Sequence, residues 1–162
     1  MTRAPFPHRA WIALGANLGA RRDTLERAVA TLSANPRISV ERVSNYIETE
    51  PVGGPPGQPR FLNGALELRT DFSARGLLAL LLALELELGR DRSSPGRDLP
   101  RAIDLDVLLY DDAVIAEPDM IVPHPRMHQR GFVLRPLAEI APDAQHPVLK
   151  KSIAELLASL DA

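Results

Sequence analysis

Two helical patterns threaded between short apolar strands restrict the fold of this chain more than any other feature. Ala10 to Leu14 is apolar and runs into Gly15-Ala16-Asn17-Leu18-Gly19, which reads as a strand entering a turn. Leu25, Ala28, Val29 and Leu32 then recur at helical intervals until Asn35-Pro36, with Asp23 and Glu26 at capping-box spacing. Ile38 and Val40 alternate as in a strand, and the apolar phase shifts by Val43 and Ile47 as a β-bulge requires. Phe61 to Leu68 reads as a further strand, and Ser73 as the cap of a second helix that Gly89 ends. Leucines nearly all round the first half of that helix imply burial against a sheet. Ala102 to Tyr110 is the last apolar strand of the series. Strand, helix, strand, strand, helix, strand is the βαββαβ order of the ferredoxin-like α+β class, with an antiparallel sheet. C-terminal additions follow. They comprise strand-like pieces around Val114 and Val133, then a helix with Ser152 and Glu155 as capping box and Ile153, Leu156, Leu157 and Leu160 as its stripe.

At 162 residues the chain has the size of one domain. Residues 1–9 are expected to form a flexible tail and 10–162 a single domain. Nineteen basic against twenty-one acidic side chains give a formal charge of -2, without the positive field that duplex nucleic acid demands. No cysteine is present, so disulfides, thiolate nucleophiles and cysteine-bound zinc are excluded. The most apolar run, Leu77 to Leu84, falls far below the ~20 residues that cross a bilayer. The first residues lack the apolar core of a secretory signal, and a cytoplasmic location follows as the expectation.

Ile103-Asp104-Leu105-Asp106-Val107 is the sharpest chemical feature. Strand alternation puts both carboxylates on one face, where their mutual repulsion calls for a positive partner. Mg²⁺ suits such a pair, since it takes one or two carboxylates and fills its remaining positions with water and phosphate oxygens. The plainer reading is one surface aspartate and one paired with Arg101. Arg90, Arg92, Arg97 and Arg101 precede the acidic strand on a Gly/Pro/Ser-containing segment. Guanidinium forks there suit a polyphosphate, although internal pairs with Asp91 or Asp98 would account for them equally. No GxxxxGK[ST] or GxGxxG run offers a backbone phosphate cradle. His124 and His128 stand four apart, but Pro123 and Pro125 disfavour a helical ligand pair.

These runs, in order, resemble one family. Ala13 to Gly19, Thr49 to Gly53 with Gln58, Phe61-Leu62-Asn63, Pro100 to Asp106, Val122-Pro123-His124 and Arg130-Gly131-Phe132 are similar to the 6-hydroxymethyl-7,8-dihydropterin pyrophosphokinases of folate biosynthesis. The resemblance spans roughly Ala10 to Pro142. It implies transfer of pyrophosphate from ATP to the pterin hydroxymethyl group, releasing AMP, with ATP and 6-hydroxymethyl-7,8-dihydropterin as substrates and a monomeric protein. Asp104 and Asp106 are then ligands of two Mg²⁺ ions. Arg90 and Arg92 resemble loop arginines that close over the phosphates, and Arg101, His124 and Arg130 further nucleotide contacts. Glu85 is similar in position to an ATP-site residue; its plainer reading is an exposed helix glutamate. Thr49, Val52 and Asn63 match the polar edge of the pterin pocket and Phe61 and Phe132 its two faces. Each phenylalanine alone reads equally as core, and Asn63 as a buried amide. The sequence departs from the family at Asp98-Leu99, Asp119 and Pro125.

Two other classes fit the residues without the resemblance: a noncatalytic ferredoxin-like module that binds a small ligand, and a metal-dependent phosphodiesterase using Asp104 and Asp106. In the first, the paired aspartates and the arginine segment would be incidental charge.

Overall fold

β1 (His8–Ala16) alternates small and apolar residues and lies at the centre of the sheet, antiparallel to β4 (Phe61–Thr70) on one side and β5 (Asp104–Tyr110) on the other. The computed structural model describes residues 6–17, 19–50, 56–57, 59–89 and 103–161. β2 (Ile38–Val43) and β3 (Ile47–Thr49) both pair with β4, so the sheet runs β2/β3, β4, β1, β5. With β2 and β3 counted as one interrupted strand, this is the expected βαββαβ arrangement, antiparallel throughout. The phase shift read near Val43 is real. The β2 register slips between Val40 and Arg42, and buried Ser44 then takes over: its Oγ accepts from Ala65 N at 2.9 Å and donates to Asn45 O at 2.8 Å.

One sheet face carries Ile12, Leu14, Leu66, Leu68 and Leu105, covered by α1 (Arg21–Ala34) and α2 (Ala74–Glu87). Leu25, Ala28 and Leu32 of α1 and Leu77, Leu81 and Leu84 of α2 complete this core. The capping box expected at Asp23 is not formed. Gly19 adopts φ +60°, the chain turns early, and α1 begins at Arg21, placing Asp23 within its first turn. Ser73 does cap α2, accepting from Gly76 N at 3.0 Å. The helix is less buried than its leucines suggest, since Leu82 and Leu86 face solvent.

The opposite face carries Trp11, Ala13, Gly15, Ala65 and Leu108 and is covered by the C-terminal part of the chain. After the hairpin β6 (Ile115–Glu117) and β7 (Met120–Val122), Val133 lies in a helix and not in the strand read from its neighbours. This is α3 (Gly131–Ile140). Val133, Leu134, Leu137 and Ile140 pack at helical spacing, and their burial outweighs the ~3 kcal/mol that Pro136 costs inside a helix. β8 (Gln145–His146) pairs with β9 (Lys151–Ser152), and α4 (Ile153–Asp161) carries the expected capping box, Glu155 N to Ser152 Oγ at 3.1 Å and Ser152 N to Glu155 Oε1 at 2.8 Å. β1 begins earlier than expected. His8 Nδ1 and Arg9 N both meet the Asp111 carboxylate at 2.8 Å, tying residues that read as tail into the sheet.

Candidate active site

Register decides which residues meet. Gly15 on β1 is flanked by Asn63 on β4 and Asp104 on β5, and Ala13 by Ala65 and Asp106. Directly opposed residues point to the same side, so Asn63, Gly15 and Asp104 form one row and Ala65, Ala13 and Asp106 the next. Phe61 shares this face, and Thr49, its partner on β3, extends it. Asn63 Nδ2 donates to Thr49 Oγ1 at 2.5 Å. The missing side chain at Gly15 makes room for this arrangement: a Cβ there would lie 2.9 Å from Asn63 Oδ1 and 3.9 Å from Phe61 Cδ1.

Asp104 and Asp106 are half-buried beside Gly15 and Ala13 of β1. Their Cα atoms are two positions apart on one strand, about 6 to 7 Å, a span that bound cations can bridge. Among the described residues no cluster of three or more histidine, aspartate or glutamate ligands forms. A pair of carboxylates on one strand face suits Mg²⁺, which takes one or two carboxylates and keeps positions for water and phosphate.

His124 follows β7, and its backbone N–H donates to Leu108 O at 3.0 Å, which fixes it against β5. Burial lowers the His124 pKa, Arg130 and Arg126 lower it further, and the Asp104 charge acts in the opposite direction. The ring is therefore neutral at neutral pH. Nδ1 accepts from Arg126 N at 3.3 Å, so Nε2 carries the proton and serves as a donor. Arg130 immediately precedes α3 without a side-chain cap, its guanidinium 5.6 Å from the Phe132 ring centre. Phe132, in the first turn, is partly buried against the apolar cluster of this same face.

Glu85 is not the exposed helix glutamate of the plainer reading. It is 2% exposed, on the α2 side of the sheet, and accepts from Leu105 N at 2.8 Å. Asp119, a departure from the family pattern, is held with Glu117 by Arg75 at the start of α2. Val52, Arg90, Arg92 and Arg101 lie outside the described residues. The sequence reading missed three residues that shape this end of the sheet. Gly15 is one; a lone glycine inside a strand pattern signals close approach and could have revealed it. Asn17, 1% exposed, donates to Pro59 O at 3.4 Å, and Arg21 Nη1 donates to Arg60 O at 2.7 Å while pairing with Glu48. Both depend on long-range contacts that no local pattern carries.

The strand order and the helices on one face define a ferredoxin-like α+β domain with an acidic pair on its edge strand. The family described as 7,8-dihydro-6-hydroxymethylpterin-pyrophosphokinase matches residues 11–142, and the chain belongs to it. The chain is 47% identical over 131 residues to the 2-amino-4-hydroxy-6-hydroxymethyldihydropteridine pyrophosphokinase of Bacillus subtilis, covering 81% of this chain and 77% of that one. Against the enzyme of the same name from Pseudomonas aeruginosa it is 40% identical over 151 residues, 93% of this chain and 91% of the relative. Among solved structures, Plasmodium falciparum HPPK-DHPS with pteroate superposes with a TM-score of 0.72 at 14% identity, covering 98% of this chain and 43% of that longer one. That likeness concerns the fold.

Proposed function

We propose that this chain transfers pyrophosphate from ATP to the hydroxymethyl group of 6-hydroxymethyl-7,8-dihydropterin, the reaction for which its family is named, and that it does so at the Asn63–Gly15–Asp104 end of the sheet. The observation that carries this placement is the shared row. It sets the residues of β3 and β4 that would read the pterin across β1, at its Gly15, from the acidic strand, so a hydroxymethyl group projecting from the pterin ring would face a triphosphate over β5.

Thr49, Val52 and Asn63 read the polar edge of the pterin, and Phe61 and Phe132 take its two faces, the mix of stacking and fixed hydrogen bonds that a flat heterocycle requires. Asp104 and Asp106 would hold two Mg²⁺ ions, whose positive charge would offset that of the triphosphate. Arg90 and Arg92 close over the phosphates, Arg101 and Arg130 add guanidinium contacts, and His124 donates from Nε2 to a phosphate oxygen. The pterin hydroxyl oxygen bonds to the β-phosphorus as the bond from that phosphorus to the α-phosphate oxygen breaks, and AMP leaves. The hydroxyl proton is lost to solvent. No protein nucleophile is needed; the residues position the reactants and stabilise charge. Exclusion of water by the arginine segment keeps the β-phosphorus for the pterin. We place the protein in the cytoplasm as a monomer, with the chain from His8 of β1 onward as one catalytic unit. Among the described residues no helix is long and apolar enough to cross a membrane.

The test is AMP release from ATP and Mg²⁺ with and without the pterin. Release that depends on the pterin supports the reading, whereas pterin-independent hydrolysis would turn it towards a phosphodiesterase.

A further inference from the structure

β5 carries both metal-binding aspartates of the proposed reaction, yet it lies at the edge of the sheet: among the described residues its strand partner is β1. An edge strand is held on one side and left with outward N–H and C=O groups on the other. In an antiparallel pair these groups alternate, so a residue whose N–H points outward has neighbours whose polar groups point inward to the partner strand. Leu105 is the outward one. Its N–H donates to Glu85 Oε2 at 2.8 Å, and its side chain is buried among the leucines of the helix-covered core. On either side of it stand Asp104 and Asp106, which face the other way.

The location of Glu85 is itself informative. It sits one residue after buried Leu84 in a leucine-rich helix and is 2% exposed. A carboxylate in such surroundings is costly unless its hydrogen bonds are specific, and a neutral side chain would pack there more cheaply. It approaches β5 from the helix-covered layer, opposite the face that carries the aspartates. The position therefore links α2 to the Asp104–Leu105 peptide, the first of the two between the carboxylates.

We propose that Glu85 is a positioning residue. By holding Leu105 N–H from the α2 side, it sets the spacing and tilt of Asp104 and Asp106, and so the affinity of the site for divalent cations. The proposal deepens the reading given above and rests on it for the identity of the metal ligands. Groups that orient metal ligands from behind commonly change metal affinity about 10- to 100-fold when removed.

Three substitutions separate position from charge. Glu85→Gln keeps the reach and an acceptor oxygen but loses the charge, Glu85→Asp keeps the charge but is one methylene too short, and Glu85→Ala loses both. Mn²⁺ binding to the purified full chain with an uncleavable ATP analogue, followed by electron paramagnetic resonance, reads metal affinity without turnover. Amide hydrogen exchange at Leu105 reads the hydrogen bond itself. The expected result is an affinity about tenfold or more weaker for the aspartate and alanine variants, with Leu105 exchanging faster, and near wild-type values of both for the glutamine variant. Wild-type Mn²⁺ affinity in the alanine and aspartate variants would overturn the proposal, as would a glutamine variant as defective as alanine. Should the alanine chain fail to fold, the glutamine and aspartate pair decides the matter on the same terms. Leu105 exchange is independent of the reaction, so a wild-type protein that releases no AMP would refute the proposed function while leaving the Glu85 contact separately measured.

Discussion

Replacing Gly15 with alanine should damage pterin recognition through a neighbour and not through β1 itself. The new Cβ would lie 2.9 Å from Asn63 Oδ1, closer than side chains tolerate, while Phe61 Cδ1 and Leu62 O stand at 3.9 and 4.0 Å in ordinary contact. The strand need not move; the Asn63 amide must. Swinging it away breaks the hydrogen bond to Thr49 Oγ1 and turns an amide that is 8% exposed away from its partner. An unsatisfied buried polar group costs about 1 to 3 kcal/mol, and alanine recovers part of that in the strand by its lower conformational freedom. If the bound pterin depends on the same amide, its affinity should fall by the corresponding factor, about 5- to 140-fold. The assay is calorimetric titration of pterin in the presence of an uncleavable ATP analogue, for Gly15→Ala, Asn63→Ala and the double variant. Because the glycine acts through the asparagine, the double variant should bind no worse than Asn63→Ala alone. Additive losses would refute the reasoning and mean that Gly15 contributes by another route.

Asp104→Ala and Asp106→Ala should each abolish AMP formation and leave pterin binding intact, which steady-state turnover beside pterin titration would establish; an Asp106→Ala chain with near-normal AMP release would remove it from the metal site. Ser44→Ala strips the acceptor from Ala65 N–H and should destabilise the fold by about 1 to 3 kcal/mol, some 2 to 4 °C in Tm per kcal/mol, read by calorimetry. His146 titrates below the ordinary histidine range because of burial and then the nearby His128, and its Nδ1 accepts from Val148 N and Leu149 N. The unfolded chain therefore takes up the proton first, and stability should hold above about pH 6.5 and fall as pH drops below it. His146→Asn, which retains an acceptor that does not titrate, should flatten that slope in Tm measured from pH 7 to 5; an unchanged slope would assign the acid sensitivity elsewhere.

Much of this architecture is written in local pattern. The alternation through Ile103 to Val107 places two carboxylates on one face without knowledge of the partner strand, and the apolar intervals of Leu25 to Leu32 specify α1 by themselves. Where local signals compete, the reading fails for identifiable reasons. Pro136 argues against a helix at Val133, and it is the burial of Leu134, Leu137 and Ile140 against the sheet that prevails, a tertiary effect. Ser73 and Asp23 have similar capping credentials, yet Ser73 caps and Asp23 does not, since positive φ at Gly19 starts α1 three residues earlier. The site shows the same division. Motifs nominated its candidate residues, but the row joining Asn63, Gly15 and Asp104 comes from the pairing register of three strands distant in sequence. The turn of Glu85 towards Leu105 likewise requires knowing which side of α2 meets β5.

The central claim is that the β- and γ-phosphates move together from ATP to the pterin. Phosphorus-31 NMR of a reaction holding equimolar ATP and 6-hydroxymethyl-7,8-dihydropterin with Mg²⁺ observes that event atom by atom. The account predicts AMP and a pterin diphosphate ester in equal amounts, with no reaction in the Asp104→Ala protein. Formation of ADP with a pterin monophosphate, or of AMP with free pyrophosphate, would contradict it.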